Sequence, residues 1–115
     1  VLLDILRAEA SLPPVLVLHA YGGSVESAAE LLKIPGTMVY FGISASTARL
    51  ARAASLIASL PPSRILVESD EHTPAEALSA VSQSLRAVAS ACGWDEQEAA
   101  CRTAENAREA FGGLA

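Results

Sequence analysis

Two residues with metal-ligand chemistry stand at corresponding places in this chain. His19 closes the apolar run Val15–Leu16–Val17–Leu18, and Asp70 follows Ile65–Leu66–Val67 after Glu68 and Ser69. If both runs are strands of one parallel sheet, the imidazole and the carboxylate lie at the same rim. That rim is where α/β proteins hold ligands and catalytic groups. A neutral imidazole beside a carboxylate suits a hard or borderline divalent ion such as Zn²⁺, Mn²⁺ or Mg²⁺. A tight site needs three or four protein ligands, so the pair by itself is incomplete. The same residues also fit a plainer role, with His19 bonded to backbone at a strand end and Asp70 in an Asx turn or helix cap.

The neighbours add weaker signals. Glu68 is placed to accept a hydrogen bond from a ligating residue, or to pair with an arginine such as Arg64. His72 lies in the loop beyond Asp70 and is either a substrate contact or solvated. Gly22–Gly23 before Ser24 could aim backbone N–H groups at an anion, or simply make a tight turn before a helix. No P-loop, no GxGxxG and no Gly-x-Ser-x-Gly elbow is present. Cys92 and Cys101 lack metal-site spacing and are expected to be buried thiols in a reducing compartment rather than a disulfide.

The elements that must position these groups alternate. Val1 to Glu9 reads as the end of an amphipathic helix, stopped by Pro13–Pro14. Val15–Leu18 is a continuous apolar run, as in a strand buried on both faces. Ser24 caps a helix to about Lys33, with Val25, Ala28, Ala29 and Leu32 expected on its buried stripe. Thr37–Ile43 is the second strand, and Gly42 near its end signals a close approach of backbone or ligand. Ser44 or Ser46 starts one helix carrying Leu50, Ala53, Ala54 and Ile57, which Pro61–Pro62 ends. Ile65–Ser69 is the third strand. Thr73, Pro74 and Glu76 have the order of N-cap, first helical residue and N3. The helix they open runs to about Cys92, with Leu78, Val81, Leu85, Val88 and Ala89 expected inward and Gly93 as C-cap. A last helix follows Asp95 to about Phe111, and Gly112–Gly113 releases it. Alternating βα units with apolar strands predict a parallel sheet with right-handed crossovers.

Composition narrows the function. The chain has 115 residues, is 51% hydrophobic and only 4% aromatic, so its core is aliphatic. The formal net charge of −5 does not favour broad electrostatic capture of a polyanion. It is compatible with a phosphate substrate whose contacts run through metal ions. No apolar run approaches the roughly 20 residues that span a bilayer, and no secretory signal is visible. The expected location is the cytoplasm or nucleus. The start at Val1 rather than Met, and three strands with both edges bare, give the expectation of a fragment or processed chain.

In several stretches the chain resembles the TatD-related metal-dependent hydrolases of the amidohydrolase-like (β/α)₈ barrels. His19–Ala20–Tyr21–Gly22–Gly23–Ser24 is similar to that family's H-x-F-x-G turn, and Tyr40–Phe41–Gly42–Ile43–Ser44 to its penultimate strand. Pro62 to Asp70 resembles its P-x-x-R-h-h-h-E-[ST]-D, and Asn106 to Phe111 its closing N-x-x-x-x-F. The pieces cover nearly the whole chain in the right order. The resemblance implies that residues 1–115 are the C-terminal portion of a TIM (β/α)₈ barrel, strands six to eight with their helices. It implies that His19 binds metal and that Asp70 binds metal or activates water. The implied reaction is metal-assisted hydrolysis of phosphodiesters, chiefly in DNA, with one or two Mg, Mn or Zn ions in the full-length protein.

Two departures follow. The family's H-x-H pair, bridging glutamate and earlier histidine have no counterparts here and would lie upstream of Val1. Glu71–His72 stand where the family commonly has a small residue and proline, a departure that bears on substrate specificity and could also add a ligand. The expectation is therefore a chain that is not a competent hydrolase alone. Its bare sheet edge would be covered by the missing N-terminal part or by self-association. Two alternatives are a non-catalytic interaction module and an amidohydrolase-type enzyme acting on a small ester, amide or aminoacyl substrate.

Overall fold

The structure is a computed structural model and describes residues 2–9 and 11–112. Helix α1 (Leu2–Ala8) leads to strand β1 (Val15–Leu18), α2 (Val25–Leu32), β2 (Met38–Ile43), α3 (Ala45–Ala48) and α4 (Ala53–Ser59). A 3₁₀ turn (Pro62–Arg64) then enters β3 (Ile65–Val67), followed by α5 (Pro74–Cys92) and α6 (Glu96–Phe111). The strands form one parallel sheet in the order β1-β2-β3, as the βα alternation predicts. Ile43 sits opposite Val67, so β2 and β3 end level, and Leu18 sits opposite Phe41, so β1 ends two residues before them.

The two faces of the sheet divide by strand alternation. Val39, Phe41, Ile43 and Ile65 pack on one side against Leu31 of α2, Leu56 and Ile57 of α4, Val88 of α5 and Ala99 of α6. Tyr40 and Leu66 point to the other side and pack with Val15, Val17, Ala107 and Ala110. The central strand is buried on both faces, and so is the start of β3, where Ile65 and Leu66 face opposite sides. β1, expected to be so, is half-buried along its length, and among the described residues it pairs with β2 alone. Asn106 of α6 is buried and donates to Pro62 O at 2.8 Å and Ile65 O at 2.9 Å, which ties α6 to the start of β3.

Caps follow the sequence. Ser24 Oγ accepts from Ser27 N, Thr73 Oγ1 from Glu76 N and Asp95 Oδ1 from Glu98 N. Gly93 ends α5 at φ 73°, the left-handed C-cap that glycine adopts without strain. Helix phases depart from expectation. On α5 the buried residues are Ala80, Ser84, Val88 and Ala89, whereas Leu78 is 74% exposed. Leu78 lies two residues before Ala80, about 200° around the helix. Small side chains face the neighbouring helices and let them approach closely. On α2, Ala28 and Leu31 are buried, but Val25 and Ala29 are exposed. On α4, Ala54 is exposed as well.

The single helix expected after Ser44 is two. Ser44 caps α3 with a reciprocal box to Thr47, and the turn closes at Arg49, whose N–H bonds Ala45 O. Ala45 and Thr47 are both buried although about 200° apart on a helix, so this turn is enclosed on opposite sides. The chain then redirects, and Arg52 Nη2 reaches Gly22 O before α4 begins. Gly113 lies outside the described residues, so the expected release at Gly112–Gly113 is seen as far as Gly112.

The cysteines are free, as expected, but unequal. Cys101 is exposed, against the expectation of two buried thiols. Cys92 is half-buried, and burial pushes its thiol up, with the Arg102 guanidinium opposing in part. A raised folded pKa means that the Cys92 contribution to stability is complete below the free-thiol value near ~8.5. It is lost as pH rises through the folded value. Alkylation of the native chain should therefore modify Cys101 first, and the Cys92 rate should still climb with pH where a free thiol has levelled off. In urea unfolding, Leu56→Ala should cost about 2–5 kcal/mol and Leu78→Ala under about 0.5 kcal/mol.

Candidate metal centre

Strand alternation puts Val17 and His19 on the same side of β1 as Tyr40 and Gly42 on β2, and Leu66 and Glu68 on β3. The functional groups converge just past the carboxyl ends of the strands. His19 Nδ1 lies 2.8 Å from Glu68 Oε1, and His19 Nε2 lies 3.3 Å from Asp70 Oδ1. The two carboxylates bracket the ring, one on each nitrogen. Glu68 is the sheltered member, with 19% of its side chain exposed against 60% for His19. Asp70 faces solvent at 65%.

Local backbone shape makes this possible. Ala20 N donates to Glu68 Oε1 at 2.9 Å, so one carboxylate oxygen meets both the imidazole and the amide that follows it. To present both, the chain turns left-handed at Ala20, φ 47°. Tyr21 N then returns to the sheet by donating to Gly42 O at 2.9 Å. Asp70 is also left-handed, φ 56°, a region that aspartate tolerates better than most residues. Glu68 N donates to Ile43 O at 3.1 Å, and the Ser84 hydroxyl of α5 is shared between Ala80 O at 3.1 Å and Glu68 O at 3.3 Å.

Gly42 explains how a side chain on β3 reaches β1. A Cβ at Gly42 would overlap Glu68 Oε2, and would stand 3.0 Å from Glu68 Cδ and 3.2 Å from Leu18 O. The close approach expected at Gly42 is thus the Glu68 carboxylate crossing over it. The pairing of Glu68 with Arg64 does not occur. Arg64 sits at the opposite end of β3, its guanidinium 5.6 Å from the Tyr40 ring centre and its Nη1 3.3 Å from Val39 O. Carboxylates, not backbone, meet the His19 ring, and Thr73 rather than Asp70 caps α5.

The other sequence candidates lie apart. His72 is exposed two residues beyond Asp70, and among the described residues it makes no ion pair. Gly22 O accepts from Arg52, and the Tyr21 hydroxyl lies where a Gly23 side chain would begin. Tyr21 Oη donates to Ser24 O at 3.1 Å, which closes a tight turn into α2. Ala20 and Ser84 carry no sequence signal for their part in the site, because one acts through its amide and the other through a common helical serine.

The donor chemistry fits a cation. Two carboxylates around an imidazole repel a bare phosphate and attract a positive ion. Two donors each ~2.0–2.2 Å from a tetrahedral ion lie roughly 3.3 Å apart. The Nε2–Oδ1 separation of 3.3 Å meets that spacing. Among the described residues, no group of three or more His, Cys, Asp or Glu side chains is disposed to hold a metal, so this pair would be part of a shell.

Parallel βα units that bring an imidazole and a carboxylate to the carboxyl rim place these groups where α/β proteins hold ligands. Residues 1–112 match the family model of the TatD related DNases, and the chain belongs to that family. Its three parallel strands and their helices are consistent with part of a TIM barrel, as the sequence resemblance implies. It is also similar to the Cut9-interacting protein scn1 of Schizosaccharomyces pombe (strain 972 / ATCC 24843), 26% identical over 98 residues, which is 84% of this chain and 29% of that protein. The chain therefore spans under a third of that relative's length. Among the described residues, no helix is long and apolar enough to cross a membrane.

Glycine at position 20 should relieve the left-handed strain. Ala20→Gly is expected to leave stability unchanged or raise it by up to about 1 kcal/mol, since glycine's larger unfolded-state entropy offsets part of the gain. Urea unfolding of the two chains checks this, and a clear loss of stability would contradict it.

Proposed function

We propose that this chain supplies the His19–Asp70 part of a metal-dependent phosphodiesterase centre of the TatD type. The observation that carries the reading is the 3.3 Å approach of His19 Nε2 to Asp70 Oδ1 at the sheet rim. Residues 1–115 would be strands six to eight of the barrel with their helices. A bound divalent ion, Mg, Mn or Zn and one or two in number, supplies Lewis acidity that acidifies water and offsets charge on a phosphodiester oxygen. His19 Nε2 and Asp70 Oδ1 would hold it. Asp70, the more exposed carboxylate, is also placed to take a proton from an attacking water or to orient it. His72 and the Gly22–Gly23 turn stand on the loops beyond and beside that rim, where a substrate phosphate or base would approach. DNA is the substrate class that family membership favours.

The remaining ligands would come from residues outside this chain, so the chain itself should bind a divalent ion weakly and hydrolyse DNA negligibly. Efficient metal-dependent DNA hydrolysis by the 115-residue chain would refute that division of labour. Asparagine tolerates the left-handed backbone of residue 70. Asp70→Asn should therefore shift urea stability by under about 0.5 kcal/mol. In the full-length protein it should lower kcat for a model phosphodiester by about 10²-fold or more. Unchanged kcat would remove Asp70 from the reaction.

A second reading rests on two observations. β1 and β3 each have a strand partner on one edge among the described residues. The scn1 relative is named for binding another protein, Cut9. A partner, a second copy or the rest of the barrel laid against the β1 edge would make this an interaction module. The acidic composition keeps a small ester, amide or aminoacyl substrate as the other hydrolase choice, which a substrate screen on the full-length protein decides.

A further inference from the structure

We infer that Glu68 is the positioning residue of this centre, acting through the gap left by Gly42 to fix the His19 imidazole in one tautomer. The inference rests on the reading of His19 as a ligand, but its test does not depend on activity. Three observations converge. Glu68 Oε1 stands 2.8 Å from His19 Nδ1, so the proton belongs on Nδ1 and the Nε2 lone pair is left towards Asp70. The same oxygen accepts Ala20 N–H at 2.9 Å, which locks the carboxylate to the backbone beside the ring. The carboxylate can lie there because residue 42 has no side chain, and a Cβ would collide with Glu68 Oε2.

The arrangement separates two carboxylates by role. Glu68 is mostly sheltered, tied to an amide and placed on the ring nitrogen away from Asp70. Asp70 is exposed and faces the nitrogen that would ligate. Glu68 thus does not compete for the ion; it aims the ring. It also supplies that aim before any ion arrives, which reduces the ordering required on binding.

The chain holds two histidines, and exposed His72 serves as an internal reference. The test is the imidazole ¹⁵N spectrum of the ¹⁵N-labelled chain without metal at about pH 8, where an ordinary imidazole is neutral. In the parent chain His19 should show the Nδ1–H tautomer, and His72 the Nε2–H form that a free imidazole prefers in water. Glu68→Ala and Gly42→Ala should each move His19 to the pattern of His72, while Asp70→Asn should leave it in place. Glu68→Gln keeps an oxygen acceptor of the same length and should restore a part of the Nδ1–H signal. Amide spectra report which variants keep the fold, and Glu68→Gln guards against collapse of the alanine variants. Zn²⁺ titration of the same samples should show affinity lowered by about 10–100-fold in Glu68→Ala.

A His19 spectrum that matches His72 in the parent chain, or that is unchanged in folded Glu68→Ala, overturns the inference. If the tautomer shifts as described but no chain binds Zn²⁺, the positioning role stands and the metal-centre reading is what fails.

Discussion

The structure of the site depends on one carboxylate that crosses a strand. Glu68 leaves β3, passes over Gly42 on β2 and ends between the ring of His19 and the amide of Ala20 beyond β1. A polar group in that place has to find partners, because a half-buried charge without them is costly. Here it finds an imidazole and a backbone N–H. The contact joins the three strand ends on their rim and gives the left-handed turn at Ala20 its reason. It also leaves Asp70 as the carboxylate that faces solvent, which is where a cation and its substrate would come from.

The fold supports that contact by ordinary means. β2 is buried on both faces, and its odd-numbered side chains from Val39 to Ile43 form the floor on which α2, α4, α5 and α6 pack. The opposite face carries Tyr40 and Leu66 and leads along the strands to Gly42 and Glu68. Ser84, buried on α5, holds the Glu68 carbonyl, so the helix after the site also positions it. These links place the acid and the imidazole by tertiary packing on both sides rather than by a flexible loop.

Much of this was legible in the sequence. Pro13–Pro14, Pro35–Gly36 and Pro61–Pro62 punctuate the βα units, and Ser24, Thr73 and Asp95 cap helices as their chemistry predicts. His19 and Asp70 could be placed on one rim because parallel strands share a direction. Gly42 could be marked as a close approach, but what approaches could not. Glu68 and His19 are far apart in sequence, and their meeting depends on register and on the turn at Ala20, neither of which a local pattern encodes. Helix phase failed where small residues decide it. Leu78 fits an apolar stripe on hydrophobicity, yet α5 packs through Ala80 and Ser84, since close helix contact selects size before apolarity. The break between α3 and α4 was hidden for a related reason, because good helix formers run through it.

The account stands on an ion-binding locus at the ends of β1, β2 and β3, in a chain whose 13 Asp and Glu residues offer many rivals. Mn²⁺ titrated into the ¹⁵N-labelled chain reads that locus directly, because a paramagnetic ion broadens the amide signals nearest to it. Broadening that begins at residues 19–21, 42–44 and 68–71 is the predicted result. Broadening that begins on the acidic surface of α6, at Glu96, Glu98, Glu105 and Glu109, with the strand ends unaffected, would contradict it.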